Sequence, residues 1–226
     1  MDDSVAVLDR VMYSEAEAAR LLRVNQGTLH YWLEGGTYRG SVYPPVLRVE
    51  PTGVRTVTWA EFLEASLLRR YRRDLRVPLA ELRDFISRLR DDFGVPYPLA
   101  HTMPWSAGQS LVIAAQSDSG LPEDLWLYAP VKDQPLLLPA GQAFLDSVTF
   151  KDDSVATFRP VDDRDSPVVV DPEVRFGKPS IRGVSTAVLW EYGDDGYTPD
   201  EIAEEFDLLR ADVEWALSYE LSNRAA

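Results

Sequence analysis

Cysteine is absent from the 226 residues, histidine occurs only twice, and lysine supplies three of the 23 basic residues. Without cysteine there can be no disulfide and no thiolate zinc site. His30 and His101 lie far apart in sequence, so a cytoplasmic protein with no structural zinc and no cofactor is expected. No basic-plus-apolar leader opens the chain, and no apolar run approaches the roughly 20 residues of a membrane span. Arginine outnumbers lysine 20 to 3, a bias that suggests a GC-rich bacterial genome.

Several chemistries lack their minimum residues. A phosphate-binding loop needs Gly-x-x-x-x-Gly-Lys-Ser/Thr. Around Gly177-Lys178 the first glycine position is Pro172 and the hydroxyl position is Pro179. Asp92-Phe93-Gly94 matches a kinase tripeptide by letters alone, with no glycine-rich or catalytic loop beside it. Asp152-Asp153, Asp162-Asp163 and Asp194-Asp195 read as turn aspartates, and the calcium-loop spacing is missing. No nucleophile–base pair or metal cluster emerges, so a non-enzymatic protein is expected.

What is present is an uneven charge. The net formal charge is −14. Residues 1–100 hold 14 basic and 14 acidic side chains, whereas residues 101–226 hold nine and 23. The second part should repel nucleic acid and attract a basic partner; acidity that serves solubility alone is the alternative.

The spacing predicts an α+β chain. Ser14 with Glu17, Thr58 with Glu61, and Thr198-Pro199 with Glu201 are three capping boxes, each opening a helix. Two short helices follow Ser14 and Asn25, separated by about three residues and stopped at Gly35-Gly36. Tyr38, Val42, Val46 and Leu47, then Pro51-Thr52-Gly53, then Val54, Thr56 and Val57, predict a two-stranded wing. Residues 1–58 are thus expected to form a winged helix-turn-helix. Residues 59–98 read as helices, one from Trp59 to about Arg76 and one carrying Leu82, Phe85, Ile86 and Leu89 at helical spacing. They form a linker or dimerisation region. Residues 99–170 read as a small antiparallel β region, on short runs such as Leu111–Ala115 and Val155–Phe158. Residues 171–226 read as a helical domain, its first helix covering Ser185 to Tyr192.

A helix-turn-helix reads DNA through its second helix. Asn25, Gln26, Thr28, His30 and Tyr31 are the candidate contacts there, with Arg39, Tyr43 and Arg48 in the wing holding the flanking backbone. A packing unit with no DNA contact is the alternative. The stretch YSEAEAARLL, then TLHYW, resembles the N-terminal domain of MerR-type transcriptional regulators over residues 11–93, with His30 where an arginine is usual. The C-terminal run DPEVRFGKPSIRG, with TPDEI and a closing Asp-Val-x-x-Ala-Leu helix, resembles a compact helical domain found in antitoxins. Joined behind a MerR-like domain, it is similar to VapB-type antitoxins. That resemblance implies a homodimer that binds double-stranded promoter DNA of its own operon and inhibits a PIN-domain ribonuclease toxin. It also implies toxin contacts from Arg175, Phe176, Lys178, Arg182 or Arg224, a cation entering the toxin's acidic centre. The alternative is that Gly177 and Gly183 merely shape a turn beside solvated cations. A stand-alone MerR-like regulator, sensing a small ligand in the β region, is the competing function.

Overall fold

The computed structural model describes residues 7–74, 76–131 and 134–224. The chain is mixed α and β, with its strands in small antiparallel pairs. It divides into two units, Met1–Asp146 with Phe150–Val155, and Ser147–Thr149 with Ala156–Ala226.

In the first unit, β1 (Val11–Ser14) runs directly into α1 (Glu15–Leu21). The Ser14 hydroxyl accepts the Glu17 N–H at 3.2 Å, satisfying a donor the helix cannot satisfy itself. A turn through Arg23, at φ 53°, leads to Asn25. Its side chain accepts the Gly27 N–H at 2.8 Å and opens α2 (Gln26–Glu34). Gly35, at φ 68°, ends that helix, and a Cβ there would strike the Tyr43 carbonyl.

The strands after Gly35 differ from the expected wing. β2 (Gly36–Tyr38) and β3 (Ser41–Tyr43) form a hairpin that turns at Arg39-Gly40, not at Pro51–Gly53. β4 (Thr56–Thr58) pairs with β1, with Tyr13 opposite Val57. Pro44-Pro45 offers no N–H to lengthen the hairpin ladder. Val46 and Leu47 then donate to the Trp32 carbonyl at 2.8 and 2.9 Å and are fully buried. These contacts fasten the chain to α2, and β4 returns to the first strand.

Thr58 and Glu61 close a full capping box on α3 (Trp59–Arg69). The predicted helix to Arg76 changes form after Arg69, where Arg70–Asp74 make one π-helical turn. α4 (Leu79–Phe93) buries Leu82, Phe85, Ile86 and Leu89 and stops at Gly94, at φ 66°. Tyr13, Trp59 and Phe62 form an aromatic cluster, with ring centroids 4.9 Å (Tyr13–Phe62) and 5.9 Å (Trp59–Phe62) apart.

Residues 99–170 hold more helix than expected. The run Leu111–Ala115 lies in α6 (Gln109–Asp118), preceded by α5 (Met103–Ser106) and followed by α7 (Pro139–Ser147). A five-residue apolar run suits a buried strand and a buried helix equally. Gln116, buried at the next position, decides between them. Its amide donates to the Tyr128 carbonyl at 2.9 Å and accepts the Leu127 N–H at 2.5 Å, tying α6 to the following chain. The strands here are the hairpins β5 (Tyr128–Val131) with β6 (Gln134–Leu137), and β7 (Val148–Lys151) with β8 (Ser154–Phe158).

In the second unit, single bridges join Phe158 to Val170 and Val169 to Ser180. β9 (Ser180–Ile181) and β10 (Val184–Ser185) meet across Arg182 and Gly183, at φ 49° and 82°. Two successive positive φ values match the right-handed twist of a tight hairpin. α8 (Thr186–Asp194) runs two residues beyond the expected Tyr192. With α9 (Pro199–Phe206) and α10 (Arg210–Arg224) it encloses a core that includes Val168, Ile181, Leu189, Ile202, Val213 and Ala216. Among the described residues no helix is long and apolar enough to cross a membrane.

Candidate functional site

The candidate residues of the first unit separate into outward and inward sets. Gln26 and Thr28 are exposed on the first turns of α2, beside exposed Asn25. Arg39 is exposed at the tip of the β2/β3 hairpin, at φ 49°. Tyr31 is half-buried, its ring against Gly36. Tyr43 lies under the Arg83 guanidinium at 5.8 Å, and Arg83 donates to the Pro44 carbonyl.

His30 and Arg48 play internal parts. His30 Nδ1 lies 2.9 Å from Glu15 Oε1, and Glu15, only 1% exposed, also receives Arg55 at 2.9 Å. The imidazole therefore stitches α2 to the start of α1. Arg48, predicted to face a phosphate backbone, is 5% exposed. Its Nε donates to Glu61 at 2.7 Å, and its terminal nitrogens reach Glu34, Thr52 Oγ1 at 2.6 Å and the Thr56 carbonyl at 2.7 Å. Glu34 also accepts the Thr52 and Gly53 N–H groups at 2.9 and 2.8 Å. Arg48 thus fixes the loop that carries Pro51–Gly53. Burial works against its charge, but the hydrogen bonds and charges of Glu61 and Glu34 outweigh it and raise its pKa above the ordinary value. For Glu34, burial is likewise outweighed by the Gly53 and Thr52 hydrogen bonds and the Arg48 charge, which hold its carboxyl below the usual range.

A neighbouring group of buried polar residues carries no sequence motif. Arg90 donates to the Val46 and Leu47 carbonyls at 2.9 and 2.6 Å and lies 3.8 Å from Glu64. Burial pushes Glu64 from 4.5 up to about 7, with Arg90 opposing the shift. Only a helix-facing acid three residues after the Glu61 cap hints at this group. A groove of about 690 Å³ opens between the Pro44–Val49 loop, α4 and Gly94–Pro96. It lies outside residues 99–170, where ligand sensing was expected. A smaller cavity of about 230 Å³ is lined by Phe93, His101, Met103 and Asp153, among others. Burial lowers the His101 pKa, with the Asp153 backbone opposing the shift. Among the described residues no group of three or more His, Cys, Asp or Glu side chains could hold a metal ion.

In the second unit three of the five predicted residues, Arg175, Phe176 and Lys178, share one turn. Arg175, Phe176 and Gly177 are successive left-handed residues, at φ 51°, 56° and 71°. Each non-glycine residue there costs about 1–2 kcal/mol, so the surrounding contacts must enforce it. The Gly177 N–H donates to Val174 at 3.0 Å, and the Lys178 N–H to Arg175 at 3.1 Å. The Arg175 guanidinium donates to the Gly183 carbonyl at 2.7 Å, tying this turn to the β9/β10 turn. Thr186 donates to the Pro179 carbonyl through both its N–H and its hydroxyl. At the apex Phe176 is 88% exposed. Lys178 is exposed and forms no ion pair among the described residues. Arg182 pairs with Asp212 at 3.2 Å. Arg224 sits apart on α10, 5.0 Å from the Trp190 ring and 3.7 Å from Glu220. The letters located this turn but carried no sign of its backbone strain.

Residues 168–219 match the family described as "Protein of unknown function (DUF433)". Two proteins of Mycobacterium tuberculosis are similar along nearly the whole chain. One, named "Uncharacterized protein Rv2308", is 29% identical over 98% of this chain and 94% of its own. The other, named "Putative antitoxin VapB45", is 28% identical over 90% of this chain and 95% of its own. The fold is similar to the crystal structure of Rv2018 from the same organism. The TM-score is 0.73 at 25% identity, covering 93% of this chain and 99% of that one.

Proposed function

We propose that this protein is the antitoxin of a toxin–antitoxin pair. The observation that carries the proposal is its similarity, over 90% of its length, to the protein named "Putative antitoxin VapB45". The C-terminal unit binds and inhibits a PIN-domain ribonuclease and has no catalytic activity of its own. Its acidity suits that partner, because a ribonuclease presents cations to its RNA substrate. The N-terminal helix pair acts as a MerR-like helix-turn-helix with the β2/β3 hairpin as its wing. As a homodimer it binds promoter DNA of its own operon. Gln26 and Thr28 on α2, with Asn25 and Tyr31 beside them and Arg39 at the hairpin tip, face the DNA. Arg48 and His30 hold that surface in shape from behind.

A second reading, a stand-alone regulator sensing a small ligand, draws on the groove of about 690 Å³ in the first unit. One experiment separates the two. The protein is co-expressed with the PIN-domain ribonuclease that this reading requires beside its gene, as wild type and with Gln26, Thr28 and Tyr31 all replaced by alanine. Both forms should restore growth and co-purify with the ribonuclease, and only the wild type should shift promoter DNA. Neither rescue nor complex with the wild type would reject the antitoxin reading in favour of the second.

A further inference from the structure

We propose that the groove of about 690 Å³ in the first unit is a binding site for a small organic monocarboxylate. The carboxylate lies on Arg83, and the apolar body of the acid lies against Pro44, Pro45, Val49, Val95 and Pro96. The site goes beyond the antitoxin reading and does not depend on it. All of the groove's residues belong to the first unit, whereas ribonuclease inhibition is assigned to the second.

Helical spacing builds one wall. Ala80, Arg83, Ser87 and Arg90 recur at intervals of three and four residues, so α4 presents them in a row along its axis. The facing wall is the loop after the β2/β3 hairpin. Arg90 fastens that loop to α4 through the Val46 and Leu47 carbonyls. Pro44, Pro45 and Pro96 have no N–H, so they offer carbon surface without a backbone donor. Val49, 67% exposed, adds to that surface. The volume falls within the roughly 300–1,000 Å³ of sites for small organic ligands, which combine apolar walls with a few converging polar groups.

The placement of charge selects the ligand. Three guanidinium groups line the groove. Arg48 is taken up by Glu34 and Glu61, and Arg90 by the Val46, Leu47 and Pro96 carbonyls with Glu64 beside it. Arg83 differs. It gives its Nε to the Pro44 carbonyl at 3.1 Å, lies 5.8 Å from the centre of the Tyr43 ring, and forms no ion pair among the described residues. Its Nη2 is buried with no hydrogen-bond partner, which is unfavourable until an acceptor arrives. The side chain as a whole is half-buried and lines the groove, so a small change in its torsions turns this unpaired edge toward an occupant. A planar carboxylate accepts from both terminal nitrogens of a guanidinium, and the Ser87 hydroxyl, one helical turn on, meets the same end of the acid. Two acids of α4 limit the charge of that occupant. Asp84 also lines the groove and is engaged by Arg88 at 2.8 Å, whereas Asp91 is exposed with no ion pair among the described residues. They repel a dianion or a string of phosphates more than a single carboxylate.

The test titrates the full-length protein with benzoate and 3-methylbutyrate, following amide NMR shifts and the unfolding midpoint. Acetate, benzyl alcohol and inorganic phosphate are the comparison probes. Benzoate or 3-methylbutyrate should shift amides of residues 44–49 and 80–96 to saturation and raise the midpoint. Acetate lacks the apolar body, benzyl alcohol lacks the charge, and phosphate carries too much of it, so each should bind at least about tenfold more weakly. Arg83→Gln should weaken binding of the acids at least about tenfold, and Arg83→Lys, which keeps the charge but not the fork, by less. Ser87→Trp fills the groove from an exposed helix position. It should abolish binding while the free protein unfolds at the wild-type temperature, which separates a blocked site from a damaged fold. Absence of saturable shifts at those residues with both acids overturns the inference, as does undiminished binding to Ser87→Trp or tighter binding of phosphate. If Arg83→Gln abolishes the promoter shift and neither acid binds, Arg83 is a DNA phosphate contact and the inference fails. Each of these failures leaves the antitoxin reading standing, because that reading is decided by rescue from the ribonuclease.

Discussion

Arg48 in the first unit and Lys178 in the second are both cations close to a turn glycine, and the fold treats them in opposite ways. Arg48 is enclosed by two carboxylates, a hydroxyl and backbone carbonyls. Lys178 stands in solvent next to an exposed ring. The first unit buries its charges and uses them as struts: Glu15, Arg48, Glu61 and Glu64 are each at most 5% exposed. The second buries the acids Asp212 and Glu220, but the arginines paired with them remain largely in water. A buried pair is strong only while it is complete, because removing one partner leaves an uncompensated charge. The first unit should therefore be sensitive to small chemical changes deep inside. The second should tolerate changes to its cations and register them only in binding.

The largest expected effect breaks the strut. Arg48→Ala leaves Glu61 and Glu34 facing each other without their cation and frees the Thr52–Thr56 loop. A loss of about 3–5 kcal/mol is expected. Hydrogen exchange measured segment by segment should show faster opening across residues 44–69 and unchanged protection in α8 to α10. Lys178→Ala, the counterpart in the other unit, should leave the exchange of residues 156–224 as it is. Equal effects of the two substitutions would erase the distinction between the units.

That distinction was only half legible in the sequence, because local and distant interactions leave different marks. Thr58 with Glu61, and Thr198 with Glu201, are separated by three residues, and both capping boxes form as the letters suggest. Asn25 caps α2 for the same reason: its amide needs only the Gly27 N–H two residues on. Arg48 is different. Its partners Glu34 and Glu61 lie 14 and 13 residues away, and nothing at position 48 distinguishes a strut from a phosphate contact. β4 pairs with β1 across more than 40 residues, so the expected pairing through the nearby Pro51–Gly53 turn gave way to a distant one. At the candidate toxin contact, the glycines of FGKPSIRG announced a turn. The left-handed Arg175 and Phe176 did not, since neither residue type favours that conformation.

Acidity offers the next test. Burial raises the Glu64 carboxyl to about 7 in the folded protein, so between about pH 4.5 and 7 the folded state binds a proton that the unfolded state has released. Stability of the first unit should then fall as pH rises through that window. A shift of that size corresponds to about 3 kcal/mol. Glu64→Gln, which cannot ionise, should flatten the slope. A first unit with no pH dependence between 5 and 8, or one whose slope survives in Glu64→Gln, would show that the carboxylate is accommodated some other way.

The smallest effect lies in the second unit and runs in the other direction. Glu201 accepts the Thr198 N–H at 2.8 Å and the Thr198 hydroxyl at 2.8 Å, and these hydrogen bonds hold its carboxyl below the usual range. A group whose folded pKa is depressed contributes stability above its unfolded pKa and loses it as pH falls. The cap of α9 should therefore weaken on acidification, where the first unit strengthens. Thr198→Ala removes the acceptor for the Glu201 N–H, and a loss of about 1 kcal/mol is expected. Faster exchange should be confined to the first turn of α9, and the acid-side weakening of that turn should be reduced, because Glu201 keeps only the backbone half of its reciprocal bond. Opposite pH slopes in the two units, one flattened by Glu64→Gln and the other reduced by Thr198→Ala, would trace the difference to where each unit places its carboxylates.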